Sequence, residues 1–168
     1  MSHVCVRKAK QDDAASLVKL CNLLDMETSF MLFEPQERTI TVEQQEDRLK
    51  GFERSTTDAM FVAEENDKLL GFIVGIGGTV KRNRHSISIV IGVRQDHWSK
   101  GVGRALMQAL EAWSQAKNMH RMELTVMAQN TRAISFYEKY GFMYEGTKRD
   151  ALKVDGQYVN EFLMSKLI

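Results

Sequence analysis

Gln95-Asp96-His97-Trp98-Ser99-Lys100-Gly101-Val102-Gly103-Arg104-Ala105-Leu106 decides the fold. It follows an alternating apolar run, Ile87, Ile89, Ile91 and Val93, which has the period of a strand. It opens a segment with Val102, Ala105, Leu106, Ala109, Leu110, Trp113 and Ala116 at helical spacing. A strand therefore runs through a glycine turn into a helix. The start of a helix carries free backbone N–H groups and the positive end of the helix dipole, so it suits a phosphate. Gly101 and Gly103 lack a Cβ, so backbone can approach a bulky anion, and Lys100 and Arg104 add positive charge. The stretch reads as a pyrophosphate cradle.

Two common cradles fail on spacing. A G-x-G-x-x-G dinucleotide fingerprint needs glycine where Leu106 stands, and no G-x-x-x-x-G-K-[ST] run exists. A second cluster, Gly75, Gly77 and Gly78, lies in the apolar run Leu69 to Val80 and reads as a strand with a bulge or a close backbone contact.

Downstream, Arg121 to Met127 reads as a short strand with Met122, Leu124 and Val126 on one face. The stretch Asn130 to Phe142, NTRAISFYEKYGF, reads as a helix capped by Asn130 and ended by Gly141, with Ala133, Phe136, Tyr137 and Tyr140 along one stripe.

Trp98 to Gly103 resembles the acyl-CoA loop of the GNAT superfamily of N-acyltransferases, [Q/R]-x-x-G-x-[G/A]. Both glycines match, and Trp98 replaces the Gln or Arg. NTRAISFYEKYGF resembles the second signature of that family, N-x-x-A-x-x-[FL]-Y-x-x-x-G-F. GFMYEG and DGQYVNEFLMSKL are similar to its closing hairpin. The resemblance covers roughly Leu69 to Leu167, and more loosely the whole chain.

The remaining elements follow from pattern. His3 to Arg7 reads as a strand, Asp12 to Met26 as a helix with Asp12 as a cap, and Glu27 to Ile40 as a loop holding Pro35. Val42 to Arg54 reads as a polar helix. Ala59 to Glu65 and Leu69 to Val80 read as a hairpin around Asn66-Asp67-Lys68. Ser86 to Val93, Phe142 to Lys153 and Tyr158 to Leu167 complete the strands. This order predicts an α/β (α+β) fold: one domain over residues 1–168, with a mixed, mostly antiparallel central sheet flanked by helices. The resemblance implies that the two middle strands splay apart to admit a pantetheine arm.

With 168 residues, 43% of them hydrophobic and 27% charged, the chain has the composition of a soluble globule with its own core. No apolar run reaches membrane-span length, and the N-terminus lacks a basic region followed by an apolar stretch, so neither membrane insertion nor secretion is expected. A net charge of +1 with mixed signs argues against a nucleic-acid surface. The basic run Lys81 to His85 reads as a solvated turn. Cys5 and Cys21 form no C-x-x-C, Cys21 lies in an apolar stripe as a core thiol, and the four histidines lack metal-ligand spacing. No metal, no structural disulfide and a cytoplasmic setting are expected.

The resemblance implies acetyl-CoA as co-substrate and a primary amine, of a small molecule or a peptide or protein N-terminus, as acceptor. Backbone of Ile91 and Val93 would bind pantetheine, and N–H groups of Ser99, Lys100, Gly101, Val102, Gly103 and Arg104 would hold the pyrophosphate. Asn130 would reach the cofactor, and an N–H near Ile91 or Gly92 would stabilise the oxyanion. Tyr137 would bind the cofactor and serve as general acid, since an ordinary Tyr pKa of about 10 keeps its proton at neutral pH. Ser86, Ser88, Val90 and Gly92 offer no carboxylate base on the second strand face. Glu27, Glu34 and His85 are therefore the base candidates; for the acceptor, two readings stand, a cationic amine such as a polyamine or aminoglycoside drawn by Glu27, Glu34 and Glu37, or an apolar side chain packed by Phe30, Met31, Leu32 and Phe33. Two other readings are a non-catalytic acyl-CoA sensor and a hydrolase or O-acyltransferase. The chain has no G-x-S-x-G elbow for a serine hydrolase. The resemblance also implies a possible homodimer, for which an exposed C-terminal strand, Tyr158 to Leu167, is one candidate edge.

Overall fold

The computed structural model of the protein describes residues 3–168. Its strands are β1 (Cys5–Lys8), β2 (Asp58–Glu65), β3 (Lys68–Gly77), β4 (Ser86–Val93), β5 (Arg121–Met127), β6 (Met143–Val154) and β7 (Gln157–Leu167). Its helices are α1 (Ala14–Glu27), α2 (Val42–Arg54), α3 (Val102–Ala116) and α4 (Thr131–Tyr140). The strands form one sheet in the order β1-β2-β3-β4-β5-β7-β6. Every pairing is antiparallel except β4 with β5. This is the mixed, mostly antiparallel sheet that the pattern predicts.

Alternation along the strands sends two sets of side chains to opposite faces. On one face, Ile73, Ile87, Met122 and Leu124 pack with Leu106, Met107 and Leu110 of α3 and with Tyr137 of α4. On the other, Met60, Val62, Phe72 and Val74 pack beneath Leu17, Leu20 and Leu24 of α1 and Leu49 of α2. Each fully buried Leu of this kind contributes about 1.5–3 kcal/mol of apolar transfer. Gly75 has its packing reason here: a Cβ would lie 2.5 Å from Ile87 Cδ1 and 2.9 Å from Leu110 Cδ1.

Several boundaries move. The first strand is Cys5–Lys8, not His3 to Arg7. The residue at the start of α1 is Asp13, not Asp12, and its side chain does not cap the helix: its carboxylate accepts from the Lys10 N–H at 2.8 Å and from both Arg7 terminal nitrogens at 2.8 Å. The third strand stops at Gly77 rather than Val80, where the chain enters the exposed basic turn through His85. The β2–β3 bulge lies at Ala63/Glu64, away from the glycine cluster. The last strand is not an edge: β7 lies between β5 and β6, and β1 and β6 are the outer strands of the sheet.

The relationship that matters most for function is at the centre. β4 and β5 pair only through Ser86–Arg121, Ile87–Met122 and Ser88–Glu123. Beyond them β4 continues to Val93 with no strand on its β5 side. The splay implied by the resemblance is present.

Candidate active site

The gap beyond Ser88 exposes backbone with a definite orientation. Arg94 N–H bonds Leu70 O, and Gly78 N–H bonds Ser86 O, so even-numbered residues of β4 point their amides to β3. Ile89, Ile91 and Val93 therefore point theirs into the gap. Gly92 N–H belongs to the β3 ladder, which leaves Ile91 as the free donor of the two oxyanion candidates.

The glycine turn closes the upper end of the gap. Ser99 and Gly101 adopt positive φ, +58° and +85°, and Gly101 is the residue from which α3 departs. The first bond into the helix is Ala105 N–H to Gly101 O. The N–H groups of Val102, Gly103 and Arg104 have no backbone partner and no side-chain cap among the described residues. Gly103 has an ordinary φ, and a Cβ there would meet its nearest atom, Phe136 Cζ, at an unstrained 3.5 Å. Packing does not demand glycine at 103; its missing Cβ keeps open the cavity wall that it lines.

Trp98 has a defined place in this turn. Its indole N–H donates to Val93 O at 2.8 Å, and the Arg132 guanidinium stacks on its ring at 3.9 Å. Arg132 also donates to Ser99 Oγ at 3.2 Å, tying the start of α4 to the cradle. Trp98 thus takes up the carbonyl of the last β4 residue and leaves the N–H of Val93 free.

A cavity of about 1390 Å³ runs from this cradle along the gap to the space between α1, α2 and the 28–40 loop. Ile91, Val93, Ser99, Gly101, Gly103, Arg104, Asn130 and Tyr137 all line it; Lys100 and Val102 do not, Lys100 being exposed and the Val102 side chain buried in the core. Asn130 Oδ1 accepts from Ala133 N–H at 3.2 Å as the helix cap, and its NH2 group is left for a ligand.

Tyr137 is buried, packs against Phe136 and Phe142, and lines the same cavity. No described residue hydrogen-bonds its hydroxyl, and burial pushes its pKa up to about 12. It is a protonated phenol with an unused O–H. Tyr140, one turn on, is committed elsewhere: its hydroxyl donates to Glu111 at 2.6 Å, and burial together with that carboxylate raises its pKa.

The acceptor candidates separate. Glu27 and Phe30 line the cavity, but the Glu27 carboxylate accepts from Gln95 N–H at 2.8 Å. Glu34 lies on the exposed loop and His85 in the basic turn at the far end of β4, and neither lines the cavity. Cys21 is half-buried in the cavity wall rather than sealed in the core, and burial raises its thiol pKa. Pattern reading missed Glu161, which sits in a stretch legible only as a hairpin. Glu161 pairs across β7 with Met127, the end of β5, lines the cavity and contacts Lys148 Nζ at 3.4 Å. Met127, and Glu161 beside it, lie past Glu123, the last β5 residue paired with β4, and so at the open end of the gap.

Among the described residues no helix is long and apolar enough to cross a membrane, and no group of three His, Cys, Asp or Glu side chains is arranged to hold a metal.

Comparison with known proteins agrees with this geometry. The family described as "Acetyltransferase (GNAT) family" matches residues 19–142. The L-amino acid N-acetyltransferase AaaT of Escherichia coli is 34% identical over 87 residues, 51% of this chain and 54% of that protein. The spermidine N(1)-acetyltransferase of Vibrio cholerae is 30% identical over 101 residues, 58% of this chain and 57% of that protein. These matches therefore span little more than half the length of either relative. A GNAT-family acetyltransferase from Streptococcus pneumoniae superposes with a TM-score of 0.94 at 30% identity, covering 99% of this chain and 100% of that one. The fold is also that of yncA from Salmonella typhimurium, solved with its cofactor acetyl-CoA (TM-score 0.85, 19% identity, 98% of this chain and 93% of that one). With its family signatures on the strand, turn and helices that line one cavity, the chain belongs to the acetyltransferase (GNAT) family.

Proposed function

We propose that the protein moves an acetyl group from acetyl-CoA to a primary amine of a small molecule, or of a peptide or protein N-terminus, by direct attack. One observation carries this reading: a free strand edge, a set of unpartnered helix N–H groups and an unbonded tyrosine hydroxyl share one cavity. Relatives named for an L-amino acid and for spermidine support an amine acceptor.

The pyrophosphate takes the N–H groups of the Ser99–Arg104 turn, where the helix dipole favours anions. The pantetheine arm adds to β4 like a strand, using Ile91 and the N–H of Val93. The thioester carbonyl then lies against Ile91 N–H, which holds the oxyanion without reorganising. The neutral amine attacks the carbonyl carbon. A C–N bond forms, the tetrahedral intermediate collapses, and the C–S bond breaks. Tyr137 donates its proton to the departing thiolate. Glu161, across the gap on the acceptor face, takes the proton that the amine gives up, directly or through water.

Incubation with acetyl-CoA and a panel of amines, with free thiol measured, tests the reading. Amine-dependent CoA release supports it. Acetyl-CoA binding with no release by any amine would leave the protein a sensor on this fold.

A further inference from the structure

The acceptor half of the cavity holds two side chains that neither the fold nor the cofactor reading uses. Gln45 and Arg48 stand three residues apart on α2, hence on one face of it, and both line the cavity. Gln45 is 5% exposed as a residue and its side-chain amide makes no hydrogen bond among the described residues, but that amide is not sealed away: the buried side-chain atoms without a partner are Arg94 Nε and Ser114 Oγ. The amide therefore opens on the cavity that it lines, with donor and acceptor both available to a polar group arriving there.

Arg48 has no carboxylate within ion-pair distance among the described residues; its guanidinium lies over the Phe52 ring at 5.5 Å. The other arginine of this wall is already used, because Arg38 is bonded to buried Asp25 and stacks on Phe33. Of the carboxylates on this side, Glu27 accepts from Gln95 N–H, and Glu37 accepts from Glu34 N–H on the exposed loop. The wall thus presents an unpaired cation beside an unpartnered amide. The sheet beneath is apolar: Val74, Ile76 and Val90 line the cavity, with Ile76 44% and Val90 57% exposed.

Resting on the acetyltransferase reading, we propose that this half of the cavity takes a free α-amino acid with an apolar side chain. Its carboxylate meets Arg48 and Gln45, its side chain lies over Val74, Ile76 and Val90, and its amine faces the thioester. A guanidinium and an amide together form charge-assisted hydrogen bonds to a carboxylate. A polyamine would bring like charge to Arg48.

The test compares kcat/KM for leucine, methionine and phenylalanine with the amide and the decarboxylated amine of each, and with spermidine, at saturating acetyl-CoA. The free amino acids should exceed their amides and amines by roughly tenfold or more, the scale of a hydrogen-bonded charge. Arg48→Gln and Gln45→Leu should each lower the amino-acid values mainly through KM, with the ratio to the decarboxylated amine moving toward one. Arg48→Lys should restore part of that ratio. Amides, simple amines or spermidine reacting as well as the amino acids would overturn the proposal, as would a ratio indifferent to Arg48→Gln. In those outcomes CoA is still released and the transferase reading stands. Release with no amine at all would remove both.

Discussion

The indole N–H of Trp98 and the carbonyl of Val93, 2.8 Å apart, close the upper end of the β4 edge. The family loop places Gln or Arg at this position, and the tryptophan does two things there: it satisfies the strand carbonyl and gives Arg132 a face to stack on. Trp98→Phe keeps a ring and removes only the N–H. It should lower stability by about 1 kcal/mol and weaken acetyl-CoA binding roughly fivefold, the scale of one lost hydrogen bond to a part-buried carbonyl. Trp98→Ala should cost more on both counts, because it also frees Arg132. Thermal melts and calorimetric titration of both variants check this, and wild-type behaviour in Trp98→Phe would contradict it.

Tyr137→Phe removes the proposed acid and keeps the ring that packs against Phe136 and Phe142. Turnover should fall by roughly tenfold or more, the scale of lost acid catalysis, while acetyl-CoA affinity holds. Because burial holds the phenol pKa near 12, the wild-type kcat profile should show no falling limb from Tyr137 up to about pH 10, the ordinary tyrosine value. Unchanged turnover with chemistry shown to be rate-limiting would remove Tyr137 from the mechanism.

Glu161→Gln keeps the shape of the side chain and its place opposite Lys148 and Met127. If its carboxylate takes the amine proton, the acidic limb of kcat flattens and turnover falls by roughly tenfold or more. A full set of pH–rate profiles on wild type and variant decides this. An acidic limb and a turnover unchanged from wild type would remove Glu161 from the mechanism.

Acid stability should report on Asp13. Burial by itself raises its pKa, but the Arg7 guanidinium and the Lys10 N–H more than offset this and hold it below the ordinary carboxylate range. A depressed folded pKa contributes stability above the unfolded pKa, and that contribution is lost as pH falls through the folded value. Asp13→Asn should therefore lower stability at neutral pH by about 1–3 kcal/mol, the cost of leaving its partners unmatched, and flatten the acid limb of a denaturation series. An acid limb as steep as wild type would place the acid sensitivity in other carboxylates.

Local pattern made much of this molecule legible. Strands β4 and β5 and helix α2 stand where alternation and helical spacing put them, because apolar period and capping residues act within a few positions of one another. Gly141 ends its helix with a positive φ, as its place there predicts, while the positive φ of Gly101, read only for its missing Cβ, is an addition of the structure. What pattern could not supply depends on distant partners. Asp13 rather than Asp12 stands at the start of the first helix, and its carboxylate, instead of capping that helix, is held by Arg7 from β1. The role of Trp98 depends on Val93 O and Arg132, partners that only the folded chain brings beside it. Gln45, Arg48 and Glu161 sit in stretches without a motif, and only the sheet order and the packing of α2 bring them to the cavity. His85 is only one residue from the start of β4, but that is the paired end of the strand, away from the gap.

Residue-resolved amide hydrogen exchange, with and without saturating acetyl-CoA, tests the docking geometry most directly. If the cofactor adds to β4 as a strand and seats its pyrophosphate on α3, the N–H groups of Ile91, Val93 and Val102–Arg104 become protected, while Gly92, already bonded to β3, changes little. Tight binding that leaves Ile91, Val93 and the first turn of α3 unprotected would contradict that geometry, and no binding at all would contradict the assignment of the cavity to acetyl-CoA.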